Sequence, residues 1–302
     1  MRTVRVISAG FLALLLLGSA TAFAGGPTTV VATPNDELHG SGNADYFAWT
    51  FIRDGHPEIY IKIKPTSGSV TTINKRGRWL SGSMDQTESL LPYWRVTGKG
   101  SNRDMDIHVY DMAANDEAAV PPNVNTSKLE YFPAISGNQM TFVRAGASTQ
   151  TLWLVTDRST GAKIALTTLD TRRAVVANAP NLMGNWVTYA VCRRSGCEAY
   201  RYDIGLATTD KVPNPQEKYY FAPSADIAGN VYLERSGAAC GSNAKLMKWT
   251  GTGNPSTFYS FASGHDMIGT SVYDDGAGSV TLYVDTLSCA RANADIVSFS
   301  NP

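Results

Sequence analysis

The chain has 302 residues, and its 26 Lys and Arg balance its 26 Asp and Glu. A formal net charge of zero argues against a protein that condenses on nucleic acid or on an anionic membrane surface. Hydrophobic residues make up 43% of the chain and charged residues 17%, which is typical of a folded protein and excludes a disordered one. The 27 Gly, 14 Tyr and 14 Pro favour strands and turns over long helices.

Residues 1–24 have the pattern of a secretory signal peptide. Arg2 and Arg5 form a basic end, residues 11–17 are apolar, and Ala22-Phe23-Ala24 matches a signal-peptidase cleavage site. The apolar run is shorter than the roughly 20 residues that cross a bilayer. We therefore expect a mature chain of residues 25–302 that is periplasmic or secreted and has no membrane span. Loss of the two Arg changes its formal charge from 0 to −2.

A glycine-centred phrase recurs along the chain. Gly137, Gly184, Gly229 and Gly278 stand 47, 45 and 49 residues apart. Around each glycine, apolar and polar residues alternate with a period of two, which indicates strands. Four short strands in each repeat of about 45 residues are typical of a propeller blade. We predict an all-β fold in which residues 25–302 form one domain, a six-bladed β-propeller.

The two ends of the chain predict how the ring closes. The sixth repeat reaches Pro302 after only three strands, and residues 28–32 form a spare β-branched strand ahead of the first repeat. We expect this N-terminal strand to complete the last blade, because an unpaired blade edge is a site of aggregation.

The third repeat resembles a known family. Pro133-Ala134-Ile135-Ser136-Gly137-Asn138, Leu152-Trp153-Leu154-Val155-Thr156-Asp157 and Ser159-Thr160-Gly161 are similar to the repeat of the TolB-like six-bladed β-propellers. One departure is that Gly-Asn follows the Ser where that family has an acidic turn residue. The resemblance implies a propeller over essentially the whole mature chain. Such a repeat encodes turns and strands, so it leaves the function open.

The four cysteines predict two disulfides, because an even number in an exported protein favours pairing. Cys192 and Cys197 flank a four-residue hairpin loop of the fourth blade. Cys240 and Cys289 each follow their repeat's glycine by 11 residues, so they occupy equivalent loops of the fifth and sixth blades and can join them. A zinc site is the weaker alternative, since it requires more closely spaced cysteines.

Motifs of catalysis are missing from the sequence, which has no G-x-S-x-G, no H-E-x-x-H and no phosphate-binding loop. Candidate channel residues do occur in the inner segments of three repeats. We expect them to meet at one mouth of the channel, where they would hold a divalent metal or act as acid and base. The alternative is a hydrated polar channel. The residues are Asp36, His39, Asp85, His265 and Asp266.

The hairpin loops form a second candidate surface, because variable loops on a rigid ring commonly carry binding specificity. Solvated loop tips without a partner are the alternative. The loop residues with chemistry suited to binding are Arg53, His56, Lys99, Arg103, Arg193 and Arg194.

Three functions fit these patterns. The first is an exported, non-catalytic propeller that binds an envelope or extracellular protein or glycan through loops on one face, without a cofactor. The second is a propeller-type hydrolase or lactonase with a metal or carboxylate site at the channel mouth. The third is a structural component of the envelope. The missing catalytic motifs favour the first function over the second.

Overall fold

A computed structural model describes residues 26–53, 59–73, 78–81, 83–98, 104–215, 219–236, 240–242, 244–290 and 293–302. These residues form 24 strands and no helix. The strands make six antiparallel sheets of four strands each, which confirms the all-β, six-bladed propeller. Within the described residues there is no helix long and apolar enough to span a bilayer.

The first three blades follow one another along the chain. Blade 1 contains β2 (Asp36–Gly42), β3 (Tyr46–Ile52), β4 (Ile59–Pro65) and β5 (Thr71–Ile73). Blade 2 contains β6 (Arg78–Ser81), β7 (Leu90–Thr97), β8 (Asp104–Asp111) and β9 (Asp116–Ala118). Blade 3 contains β10 (Leu129–Ser136), β11 (Gln139–Ala145), β12 (Thr149–Asp157) and β13 (Ala162–Asp170).

The last three blades repeat the order, except that the sixth takes a strand from the other end of the chain. Blade 4 contains β14 (Ala174–Met183), β15 (Trp186–Arg193), β16 (Gly196–Asp203) and β17 (Thr208–Lys211). Blade 5 contains β18 (Tyr219–Ala225), β19 (Val231–Ser236), β20 (Lys245–Trp249) and β21 (Ser256–Ser260). Blade 6 contains β22 (His265–Asp274), β23 (Val280–Ser288), β24 (Ala294–Ser300) and β1 (Thr28–Val31).

The strand β1 lies at the outer edge of blade 6. It pairs antiparallel with β24, with Thr28 opposite Ser298 and Val31 opposite Ile296. The side chains of Val30 and Val31 pack against the cluster of Phe47, Trp49 and Ile296, which joins blades 6 and 1. The N-terminal strand thus lies beside the C-terminal strand and contacts the first blade.

The core lies between the blades, because successive side chains of a strand point to opposite faces of its sheet. On β11, Phe142 packs toward blade 2 with Ile107. The next residue, Val143, packs toward blade 4 with Val187. A central strand of a blade is therefore apolar on both faces.

The first strand of each blade is the innermost. Neighbouring first strands contact one another around the channel from β10 through β14, β18, β22 and β2 to β6. A strand crosses the full height of its sheet, so each blade has two ends. We call one end the turn face; it carries the turns between first and second strands, at residues 43–45, 83–89, 137–138, 184–185, 226–230 and 275–279. The other end, the hairpin face, carries the loops between second and third strands and the connections between blades.

A turn on the turn face explains the recurring Gly-Asn. Gly137 and Gly184 both have φ of 53° and begin two-residue loops between Ser136 and Gln139 and between Met183 and Trp186. Glycine suits the first position of such a type II′ hairpin turn, since positive φ strains other residues.

Candidate functional site

The hairpin loops carry the described basic residues that the sequence singled out. Arg53 is exposed in blade 1, where it lies beside Phe51 and Lys62. Arg193 and Arg194 lie in blade 4, on the other side of the ring. Three further predicted residues, His56, Lys99 and Arg103, lie outside the described residues.

Arg193 and Arg194 stand on a loop closed by a disulfide. Cys192 and Cys197 are directly opposite each other on β15 and β16, with their Cα atoms 4.0 Å apart, and they are bonded. Arg193 pairs with Gly196 one step further out. The covalent ring leaves the loop few conformations, so the two arginines are held at a defined place.

The second predicted disulfide is also present. Cys240 and Cys289 are bonded, with their Cα atoms 5.9 Å apart, and they connect the loop regions of blades 5 and 6 on the hairpin face. Both predicted pairings are confirmed. Two disulfides fit a protein of an oxidising compartment.

A second pair of arginines lies beside that loop and was not predicted. Arg172 and Arg173 occupy the connection from blade 3 to blade 4, where the backbone N–H of Arg173 donates to the carbonyl of Asp170 (2.9 Å). The Arg172 guanidinium donates to both carboxylate oxygens of Asp170, at 3.0 and 2.9 Å. The two side chains are 80% and 87% exposed.

The strand pairing of blade 4 brings the two arginine pairs together. Ala174, the residue after Arg173, lies opposite Arg193. One open depression of the surface is lined by Arg172, Arg173, Arg193, Arg194 and Ser195. We define the arginine patch as Arg172, Arg173, Arg193, Arg194 and Lys211, the last of which lies in an adjoining depression with Arg193.

Two carboxylates accompany these five cations. Asp170 binds Arg172, and Glu198 binds both Arg193 and Lys211. Hydrogen bonds from Arg172 lower the pKa of Asp170, and the Lys211 ammonium lowers the pKa of Glu198. Both acids are therefore ionised at neutral pH, and the patch with its two acids has a net charge of +3.

The five predicted channel residues lie at different heights of the propeller. Asp36 and His265 are the first residues of β2 and β22, on the hairpin face. Asp85 follows β6, which runs from the hairpin face to the turn face, and it therefore lies on the turn face. The expectation that Asp85 meets Asp36 and His265 at one mouth therefore does not match this placement. No group of three or more His, Cys, Asp or Glu that could hold a metal occurs among the described residues.

The two predicted acids on the hairpin side, Asp36 and Asp266, accept hydrogen bonds from the backbone of neighbouring blades. Asp36 Oδ1 accepts a hydrogen bond from the backbone N–H of Ala294 (3.1 Å). Asp266 Oδ2 accepts one from the N–H of Gly241 (3.4 Å) and lies beside the carboxyl of Glu234. Glu234, which the sequence did not single out, is 1% exposed. Burial raises its pKa well above the ordinary value, and Asp266 adds to the rise.

His39 is half-buried at a bulge of the innermost strand and has φ of 55°. Its backbone N–H and that of Gly40 donate to Asp285 of blade 6, at 2.7 and 3.1 Å. Gly269 makes room for this carboxylate, since a Cβ there would lie 2.3 Å from Asp285 Oδ2. Burial lowers the pKa of His39. The backbone hydrogen bonds to Asp285 thus join blades 1 and 6, and the lowered pKa keeps the imidazole neutral at neutral pH.

Bulges in the first strands line the channel cavity. Positive φ at His39, Asn178 and Ala222 marks these bulges in blades 1, 4 and 5, and all three residues line the channel cavity. The space open to the centre of a water molecule there is about 30 Å³. The cavity therefore admits water molecules but is small.

No family model and no curated protein matches this chain, but its fold is similar to that of solved structures. TolB from Acinetobacter baumannii has a TM-score of 0.54 and 15% identity over 85% of this chain and 64% of that protein. A putative TolB from Agrobacterium tumefaciens has a TM-score of 0.57 and 11% identity over 89% and 92% of the two chains. A luciferin-regenerating enzyme has a TM-score of 0.54 and 9% identity over 92% of this chain and 96% of that enzyme.

These comparisons confirm the TolB-like propeller fold that the repeats predicted. This chain spans 64% of the length of the Acinetobacter protein. Identities of 9% to 15% support a shared fold alone. Because the same fold occurs in an enzyme and in TolB, the function has to be argued from the side chains.

Proposed function

We propose that this protein is an exported, non-catalytic propeller that binds a protein or glycan partner through the hairpin face. The observation that carries the proposal is the arginine patch, which gathers five basic side chains from blades 3 and 4 on one face. Exposed arginines held on short, braced loops resemble the binding loops that rigid scaffolds present.

The small channel cavity among the described residues supports binding at the surface rather than inside the ring. Its volume of about 30 Å³ is small compared with the roughly 300 to 1,000 Å³ of a metabolite pocket. The two disulfides support a periplasmic or secreted location. A partner captured through one face would also distinguish this function from that of a purely structural envelope component.

The test compares two Ala→Trp variants that obstruct opposite faces. Ala147 is exposed in the hairpin loop of blade 3, next to Ser148, whose carbonyl accepts the N–H of Thr171 beside the arginine patch (3.0 Å). Ala277 is equally exposed in a turn of blade 6 on the turn face. The immobilised mature protein and both variants are incubated with solubilised envelope extract, and bound protein and carbohydrate are measured.

We expect the unmodified protein and Ala277→Trp to retain the same material, and Ala147→Trp to lose most of it. Retention no greater than on an unrelated protein of equal charge would contradict the proposal. Equal loss in both variants would also contradict it, because the hairpin face would then have no special role.

A further inference from the structure

The arginine patch concentrates positive charge on a chain that has no net positive charge. The mature chain has a formal charge of −2 once Arg2 and Arg5 are removed, yet the patch and its two acids carry +3. Clustered charge of one sign raises the local concentration of an oppositely charged ligand and speeds its association. The patch is therefore suited to an anion.

Both arginine pairs are preorganised. The Cys192–Cys197 disulfide closes the loop of Arg193 and Arg194. In the neighbouring connection, the N–H of Arg172 donates to Asp170 Oδ1 (3.1 Å) and that of Arg173 to the Asp170 carbonyl (2.9 Å). Loops that are already ordered lose little conformational freedom when a ligand binds.

The patch keeps donors for an external anion. Each guanidinium has five N–H donors, and the ion pair of Arg173 with Asp170 is long, at 3.9 Å. Arg194 forms no ion pair with any described residue. Guanidinium groups bind phosphate, sulfate and carboxylate in a planar, bidentate geometry, so these are the anionic groups that fit.

The lining of the patch favours a glycan over an acidic protein. Protein interfaces are usually centred on buried aromatic or aliphatic anchors that fill pockets. Among the described residues, the depression between the arginine pairs is lined by four arginines and Ser195, and none of these side chains forms an apolar pocket for an anchor. A flexible chain with repeated anionic groups needs only the charges and hydrogen bonds that this surface provides.

On the basis of the proposed function, we infer that the ligand of the hairpin face is an acidic glycan, whose sulfate, phosphate or carboxylate groups bind the arginine patch. An extended glycan with regularly spaced anions can contact both arginine pairs at once. Binding is then electrostatic and weakens as salt rises, because counterions compete for the same charges.

The experiment titrates the mature protein with four probes at several NaCl concentrations. Heparin carries sulfate and carboxylate, polygalacturonate carries carboxylate alone, dextran is neutral, and polyglutamate is an acidic peptide. The patch variant is Arg173→Glu with Arg194→Glu. The control variant is Lys64→Glu with Lys128→Glu, two exposed lysines outside the patch, which changes the net charge by the same amount.

We expect heparin to bind the unmodified protein and the control variant with affinities within about threefold of each other, and the patch variant about tenfold more weakly at low salt. The slope of log affinity against log salt should fall by about two in the patch variant, one for each lost contact. Polygalacturonate is expected to bind more weakly than heparin, and dextran to show no binding. Circular dichroism and melting curves check that both variants are folded.

Three results would overturn the inference: no heparin binding, equal weakening in both variants, or polyglutamate binding as tightly as heparin. The last result would identify an acidic protein as the ligand class. If heparin fails to bind while Ala147→Trp still abolishes capture of envelope material, the inference fails and the proposed function stands. If capture also fails, both are wrong.

Discussion

The two faces of the propeller use their charges differently. On the turn face, six acidic side chains cap turns by accepting backbone N–H groups. On the hairpin face of blades 3 and 4, arginines point to solvent. The capping acids are Asp85, Asp111, Asp157, Asp203, Asp226 and Asp275.

The faces also differ in how adjacent blades are joined. On the turn face, hydrogen bonds cross from blade to blade, as from Gly137 N–H to Asp85 (2.6 Å) and from Gly184 N–H to Ser136 Oγ (3.1 Å). On the hairpin face, hydrogen bonds also cross between blades, as from Ala294 N–H to Asp36 (3.1 Å), and the Cys240–Cys289 disulfide adds a covalent link between blades 5 and 6. Covalent bracing between blades is thus found on the hairpin face, which also carries the exposed arginines.

The largest effect should come from the disulfide between blades. Replacing Cys240 and Cys289 by Ser opens a loop with a sequence separation of 49 and should lower the free energy of unfolding by about 4 kcal/mol in the chain-entropy model. The same change at Cys192 and Cys197, with a separation of 5, should lower it by about 2 kcal/mol. Urea unfolding under non-reducing conditions measures both losses. An equal loss in the two variants, or a larger loss for Cys192 and Cys197, would contradict the expectation.

The next effect tests a capping acid of the turn face. Asp85 is fully buried and accepts the N–H groups of Thr87 and Glu88, both at 2.7 Å, as well as that of Gly137. Asp85→Ala leaves these donors without their acceptor and should cost about 3 kcal/mol. Asp45→Ala is the control, since Asp45 is exposed on the same face, and should cost less than about 0.5 kcal/mol. Thermal melts that moved equally in both variants would rule out the capping role.

A pH series should show that acids of the two faces change the free energy of unfolding in opposite directions as pH rises. Hydrogen bonds from Ser89 and Ser159 lower the pKa of Asp111 and Asp157, so their contribution is present above the unfolded pKa of 3.8 and is lost as pH falls. Burial raises the pKa of Glu234. Its contribution is present below the unfolded pKa of 4.5 and is lost as pH rises through the folded-state pKa.

The variant Glu234→Gln isolates the loss of stability that Glu234 causes as pH rises, because the amide of Gln does not ionise. We expect its free energy of unfolding, relative to that of the unmodified protein, to increase from pH 4.5 toward neutral pH. Urea unfolding at several pH values measures this difference. A difference that stays constant with pH would show that Glu234 does not ionise on unfolding.

The smallest effect on stability is expected at the arginine patch. Arg173 and Arg194 have no buried partner among the described residues, so Arg173→Ala and Arg194→Ala should each change the free energy of unfolding by less than about 0.5 kcal/mol. Heparin affinity should nevertheless fall in both variants. Loss of stability comparable to that of Asp85→Ala would show that these arginines serve the fold.

The sequence by itself determined the architecture and the disulfides of this protein. Alternation with a period of two and the recurring glycines are local signals, and each blade is a local unit that repeats them. The cysteine pairs followed from the same frame, since equal offsets from Gly229 and Gly278 place Cys240 and Cys289 at equivalent positions.

Only the tertiary structure decided which side chains meet. Asp36 and Asp85 belong to the same kind of inner segment, but Asp36 begins its strand and Asp85 follows its strand, so they lie on opposite faces. Arg172 and Arg173 become neighbours of Arg193 through the pairing of β14 with β15. These contacts depend on strand direction and register, which turn and alternation patterns leave open because both faces of each blade are apolar.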